Sequence, residues 1–174
     1  MQNLFSAPVV IDELGSHEKK YHLKAEKQEL LEIAAILRVP EVKNLEAEIC
    51  LKLNKKMHRL DVFGRVSALM RLTSVISLED FEREYVNDFE LVYDTKATPE
   101  EIKLLDLELD LYDETPEPLP QGKLNLADVA LEQIALVMED NPRQPGEAFA
   151  FKSEFDEETT AAQNPFSVLK KIKK

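Results

Sequence analysis

LDVFGRVSALMRLTSVISL, residues 60–78, decides the fold. Every even position is apolar or small: Leu60, Val62, Gly64, Val66, Ala68, Met70, Leu72, Ser74, Ile76 and Leu78. The odd positions mix in Asp61, Arg65, Ser67, Arg71, Thr73 and Ser77. Successive side chains of a strand point to opposite faces, so the pattern describes a strand with one face inward and one in water. Straight, it would run roughly 60 Å at about 3.3 Å per residue, too long for a domain of this size. It must bend or break, and Gly64 and Ser67 are the expected places.

Upstream, Leu45, Ala47, Ile49, Leu51 and Leu53 alternate with Glu46, Glu48, Cys50 and Lys52. The polar Asn54-Lys55-Lys56 joins this run to the next, so the two read as a hairpin. Downstream, Phe81 to Tyr93 is a third, aromatic-rich run, and Leu105, Leu107, Leu109 and Leu111 form a fourth against Asp106, Glu108 and Asp110. Helices flank the strands. Ala25 to Leu37 sets Leu30, Ile33, Ala34 and Leu37 on one face, and Val39-Pro40 closes it. Thr98-Pro99-Glu100-Glu101 has the form of a capping box that opens a short helical piece.

The second informative stretch is LADVALEQIALVMEDNPRQPG, residues 126–146. On a helix of about 3.6 residues per turn, Asp128, Glu132 and Glu139 share one narrow stripe and apolar residues cover most of the rest. Such a helix is buried on several sides. Asn125 is its expected N-cap, with Asp128 in the capping box, and Asn141-Pro142 its expected stop. Together these elements imply an α+β fold: a mostly antiparallel sheet of about five to six strands, strongly bent or barrel-like, packed by a helix in the N-terminal half and a buried C-terminal helix. The expected organisation is one domain over residues 1–150, with an acidic proline-rich loop at 113–122. An acidic, then basic, disordered tail follows at 151–174, whose end, NPFSVLKKIKK, has amphipathic helical spacing.

Composition bounds the function. The 174 residues carry a net charge of −12 and no run long enough and apolar enough to span a membrane. No secretory leader pattern opens the chain, so a cytoplasmic location is the expectation. Cys50 is the single cysteine, which excludes an internal disulfide and a cysteine-based zinc cage. The charge is uneven: residues 1–78 hold 12 basic against 10 acidic side chains, residues 79–158 hold 6 against 24, and residues 159–174 hold 4 against none. This reads either as an acidic solubilising surface with a basic fringe or as two electrostatic faces.

Chemistry is sparse. The four glycines form no phosphate-binding loop, and His17, His22 and His58 lack companions at metal-ligand spacing. His22 reads as an exposed strand residue and Cys50 as a half-buried structural thiol rather than a nucleophile. A non-enzyme without cofactor, metal or small-molecule substrate is the expectation.

Two segments carry a family likeness. LADVALEQIALVMEDNPRQPGEAF resembles the C-terminal signature of the bacterial YceD family, the large ribosomal RNA subunit accumulation proteins (domain of unknown function 177). GRVSALMRLTSVISLEDFE, residues 64–82, is similar to that family's central strand and the start of the next. FSAPVVIDEL near the start and NPFSVLKKIKK at the end match in the same order, the latter resembling alphaproteobacterial-type members. The chain departs from the family where many members have a cysteine in place of Ser74 and a proline in place of Asp80, and where Asp-Leu-Gly-Glu becomes Asn125-Leu126-Ala127-Asp128. It also lacks the CxxC cysteines of one branch, so no metal role carries over. Glu132, Pro142, Arg143, Pro145 and Gly146 match.

The resemblance implies a part in ribosomal RNA accumulation and large-subunit assembly. Contact with precursor ribosomal RNA or a pre-ribosomal particle would need clustered cations. The candidates are Lys55, Lys56, Arg59, Arg65 and Arg71, together with Lys52, on the first hairpin, and Arg143 on its proline-bracketed turn. Equally, the hairpin charges would protect a sheet edge, and Arg143 would neutralise a helix C-terminus or pair with the acidic stripe. The rival expectation is an acidic protein-binding module or chaperone for a basic ribosomal protein, with Asp106, Glu108 and Asp110 as its surface.

Overall fold

The computed structural model describes residues 5–15, 17–96, 116–119 and 122–148. Its frame is an open five-stranded sheet in the order β2-β3-β4-β5-β6, formed by Lys19–Lys24 (β2), Glu41–Asn54 (β3), Arg59–Thr73 (β4), Asp80–Asp94 (β5) and Glu117–Pro118 (β6). β2 to β5 are antiparallel neighbours, and β6 joins β5 in parallel. A second, two-stranded sheet pairs Pro8–Val10 (β1) with Lys123–Asn125 (β7). The helices are α1, Lys27–Leu37, and α2, Leu126–Val137. The α+β, mostly antiparallel architecture read from the alternation is therefore present. The barrel-like closure is not: β2 and β6 lie at opposite edges and do not pair.

β4 shows how the pattern builds the core. Leu60, Val62, Val66, Ala68, Met70 and Leu72 are buried, while Arg59, Arg65, Arg71 and Thr73 face out. In β5 the inward positions include Phe81, Tyr85 and Tyr93, and the outward ones are Asp80, Glu82, Glu84, Val86, Asp88, Glu90, Val92 and Asp94. The inner face of the sheet and the two helices share one apolar core, with Ile33 of α1 and Leu126, Ala130 and Ile134 of α2 at zero exposure. The long strand breaks at neither Gly64 nor Ser67; β4 runs through both and stops at Thr73. Gly64 serves strand approach instead, because a Cβ there would lie 2.2 Å from the Glu48 carbonyl oxygen.

The break falls at Ser74. Its buried hydroxyl accepts from the backbone N–H of Ile76 and Ser77, and Leu78 takes a left-handed φ of 61°. These local bonds turn the chain although Ile76 and Leu78 keep the strand parity. α1 starts two residues later than expected, on a capping box between Glu26 and Glu29, and ends on Arg38 in the left-handed region. Val39 N–H then bonds Ala34 C=O, as in a left-handed helix terminus.

Asn125 caps α2 by accepting from Ala127 N–H, and the same oxygen accepts from Ala7 N–H at 2.7 Å. With Leu126 N–H bonded to Ala7 C=O, the N-terminal segment is stapled to the start of α2. α2 itself stops at Val137, with Met138 extended, four residues short of the expected proline stop. The acidic proline-rich loop contributes β6 to the sheet, where Leu119 N–H bonds Asp94 C=O.

Residues Met1–Gln144 make one compact unit and Pro145–Lys174 a second. The fourth alternating run, the short helical piece at 98–101 and the tail at 151–174 lie outside the described residues. No helix among the described residues is long and apolar enough to cross a membrane.

Candidate functional site

The cations singled out on the first hairpin do not make one free patch. Asn54 Oδ1 accepts from Lys56 N–H and Met57 N–H and shapes the β3–β4 turn, leaving Lys55 and Lys56 exposed at its tip. Arg59 pairs with Asp61 at 2.5 Å. Arg65 sits opposite Asp88 in the β4–β5 register, and its fork donates to both carboxylate oxygens at 2.5 and 2.7 Å. That guanidinium holds the Asp88 carboxyl below the usual carboxylate range. Arg71 reaches Glu41 at 3.0 Å and Asp80 at 3.8 Å. The outward carboxylates of β5 are what the reading of the hairpin alone missed. Their alternation was visible, but which arginine met which carboxylate depends on a register that three strands set together.

At the opposite end of β4, the β4–β5 turn meets the segment after α2. Val75 N–H in the β4–β5 turn donates to Pro142 C=O at 3.0 Å. Arg83, on the inner side of β5, donates to Arg143 C=O at 2.7 Å and pairs with Glu139. Four residues further along the same face of β5, Asn87 Nδ2 donates to the carbonyl and the side-chain oxygen of the buried Gln133 in α2. So the cation that meets Glu139, two residues past the end of α2, is Arg83. Arg143 is held by its backbone, while its exposed guanidinium makes no ion pair among the described residues.

A groove of about 760 Å³ opens here, between the last turns of α1 and α2. Ile36, Val39, Pro40, Leu72, Ala135 and Met138 supply its apolar surface, and Arg38, Glu139 and Asp140 its charges. The apolar surface continues outside it. Ile36 is 48% exposed and Leu136 70%, and the neighbouring β4–β5 turn carries Val75 at 47% and Leu78 at 77%. Neither helix has a basic residue in its last turn. Their last turns are partly closed by local bonds, from Arg38 and Val39 N–H to the Ala34 and Ala35 carbonyls and from Met138 N–H to the Ala135 carbonyl. With Glu139 paired to Arg83, the groove sets Asp140 against Arg38.

Reactive groups are placed apart. Cys50 is half-buried on the outward face of β3, and burial, followed by Glu18, pushes its thiol up, away from the thiolate a nucleophile needs. His22 is exposed on β2, and His58 takes a left-handed φ of 54° in the hairpin turn. Among the described residues no group of three or more His, Cys, Asp or Glu side chains could hold a metal. Tyr93 is buried, and burial with Glu117 and Glu132 nearby raises its phenol well above the ordinary value. Glu117 is raised in turn by burial and by Glu132. Asp106, Glu108 and Asp110 lie outside the described residues. Comparison with family models, curated proteins and solved structures returned no match to this chain.

Proposed function

We propose that this chain is a non-enzymatic cytoplasmic factor that supports ribosomal RNA accumulation and large ribosomal subunit assembly, and that it acts by docking a protein partner at the α1–α2 end. The ribosomal part of the reading rests on the resemblance to the YceD family. One observation carries the location. The two stretches that hold most of the resemblance, far apart in sequence, are bonded to each other through Val75 and Pro142 beside an exposed apolar groove, with Arg83, the residue after the first stretch, holding the Arg143 carbonyl. Apolar patches of this kind on a folded surface mark interaction sites. Ser74 fits the same account: it is buried and spends its hydroxyl on the turn, which a small side chain of either chemistry can occupy.

Depletion of the protein in its own cells tests this reading. The expected result is fewer mature large subunits, with in-cell crosslinking of the tagged chain recovering a defined protein of the assembling particle. A normal subunit profile on depletion rejects it.

A second reading, direct contact with precursor ribosomal RNA, keeps one observation in its favour. Lys52, Lys55 and Lys56 form no ion pair among the described residues, and Lys20 lies one strand over, opposite Cys50. These lysines, rather than Arg59, Arg65 and Arg71, would meet phosphates. Replacing Lys52, Lys55 and Lys56 with glutamate would then weaken RNA binding and flatten its salt dependence. Unchanged binding removes the second reading.

A further inference from the structure

We infer that Arg38 and Arg143 are contact residues of the α1–α2 end, and that each takes a carboxylate from an acidic and apolar segment of a partner protein. This rests on the protein-docking reading above and names the partner's chemistry. The chain has six arginines, and four of them pair within it: Arg59 with Asp61, Arg65 with Asp88, Arg71 with Glu41 and Asp80, and Arg83 with Glu139. Arg38 and Arg143 make no ion pair among the described residues, although 34 acidic side chains stand against 22 basic ones. Both lie at this end. Arg38 lines the groove, and Arg143 follows Pro142, which lines it too.

Each is mounted on fixed backbone. Arg38 caps α1 at a φ of 56°, its N–H bonded to the Ala34 and Ala35 carbonyls. Glycine or asparagine is the usual residue at such a left-handed helix end, where a longer side chain strains the backbone. At the other site, the Pro142 carbonyl accepts from Val75 N–H at 3.0 Å and the Arg143 carbonyl from Arg83 at 2.7 Å. A planar guanidinium carried on a pinned main chain suits a bidentate anion, and neither of these has an intrachain ion pair to give up.

The surroundings choose the anion. Ile36, Pro40, Leu72 and Met138 make the groove apolar, and no aromatic ring among the described residues lines it for a base to stack on. Asp140 stands in the same groove and repels a continuous run of phosphates. A peptide with carboxylates at the two arginines and apolar side chains elsewhere satisfies all of these at once.

The test uses the full chain and a synthetic fluorescent peptide with leucines at i, i+3, i+4 and i+7 and glutamates elsewhere. Two control probes accompany it: the same leucine pattern with lysines for glutamates, and an unstructured RNA oligonucleotide. The expected result is binding at least about tenfold tighter for the glutamate peptide than for either control. The double variant Arg38→Gln, Arg143→Gln should lose that margin and keep the thermal midpoint of the parent within about 2 °C. Arg65→Gln, at an arginine already paired, should bind as the parent does. Equal binding by the parent and the double variant, or an equal loss in Arg65→Gln, overturns the assignment. A larger fall in the midpoint of the double variant does so too, because the two arginines would then hold the fold. Tighter, arginine-dependent binding of the RNA oligonucleotide makes the partner a nucleic acid and overturns it as well. So does a concentration-dependent dimer in sedimentation that the double variant abolishes, because the carboxylates would then come from a second copy. The two proposals fail separately. Arginine-dependent peptide binding in a chain whose depletion leaves large subunits normal keeps the contact and loses the ribosomal role. Depleted cells whose large subunits are restored by a double variant that binds the peptide as the parent does give the reverse.

Discussion

The outward face of the sheet and the end where α1 and α2 finish both face solvent, yet they are satisfied in opposite ways. On the sheet, the arginines of β4 and the carboxylates of β3 and β5 neutralise one another across the strands: Arg65 with Asp88, Arg71 with Glu41 and Asp80, and Lys43 of β3 with Glu82. A face like this is the ordinary wet side of an antiparallel sheet. At the helix ends the balance is reversed. Polar groups close the turns, as Ser74 and Arg83 do, while Ile36, Val75, Leu78 and Leu136 are left in water. Conspicuous charge is thus a poor guide to function where neighbours supply the counter-charge. Uncovered apolar surface is the better guide.

The contrast can be broken first inside the sheet. Gly64→Ala places a methyl 2.2 Å from the Glu48 carbonyl oxygen, so the β3–β4 pair must separate. A loss of about 4 kcal/mol is expected, at the upper end for one substitution, read from the urea midpoint. A variant as stable as the parent would mean that the strands approach less closely than described. Next comes a pair on one helix. Ile134 is fully buried and Leu136, two residues on, is 70% exposed. Ile134→Ala should cost about 3 kcal/mol and Leu136→Ala less than about 0.5 kcal/mol. Similar losses at the two sites would show that Leu136 is covered within the chain rather than left in water.

Much of this contrast was legible in the sequence, and the remainder has identifiable causes. Alternation reported the inward face of β4 residue by residue, because period and burial are the same fact in a strand. It overran at Ser74, where a side-chain hydroxyl bonded to Ile76 and Ser77 ends the strand without disturbing the parity of apolar residues. The start of α1 was misjudged since glutamate is an uncommon N-cap, here stabilised by Glu29. The hairpin cations were visible as residues, but their pairing needed the register of β5. Arg83 carries no signal in the sequence. It lies in a strand of carboxylates, and only the tertiary fold brings Glu139 and the Arg143 carbonyl to it.

Arg83 sharpens the comparison at an intermediate scale. Its side chain ties β5 to the segment after α2 and is less exposed than the sheet-face arginines. Arg83→Ala should cost about 1–2 kcal/mol and speed hydrogen exchange at Val75, whose N–H bonds Pro142. Arg65→Ala, across an ion pair that water screens on both sides, should leave the unfolding midpoint unchanged within error. A larger loss at Arg65 than at Arg83 would invert the assignment of which end is held by its polar contacts.

The smallest expected effect concerns Glu117, where the sheet's far edge approaches α2. Burial and the neighbouring Glu132 raise its pKa in the folded chain. A raised carboxyl binds its proton more tightly folded than unfolded, so its contribution is fully present below the unfolded value and is lost as pH rises through the folded one. At neutral pH the ionised Glu117 is therefore a mild liability beside Glu132 and the buried Tyr93. Glu117→Gln should be slightly more stable than the parent at pH 7, and the two should converge as pH falls below the ordinary carboxylate range. Unfolding curves recorded across that interval decide it. A gap that stays constant with pH would mean that Glu117 senses neither burial nor Glu132.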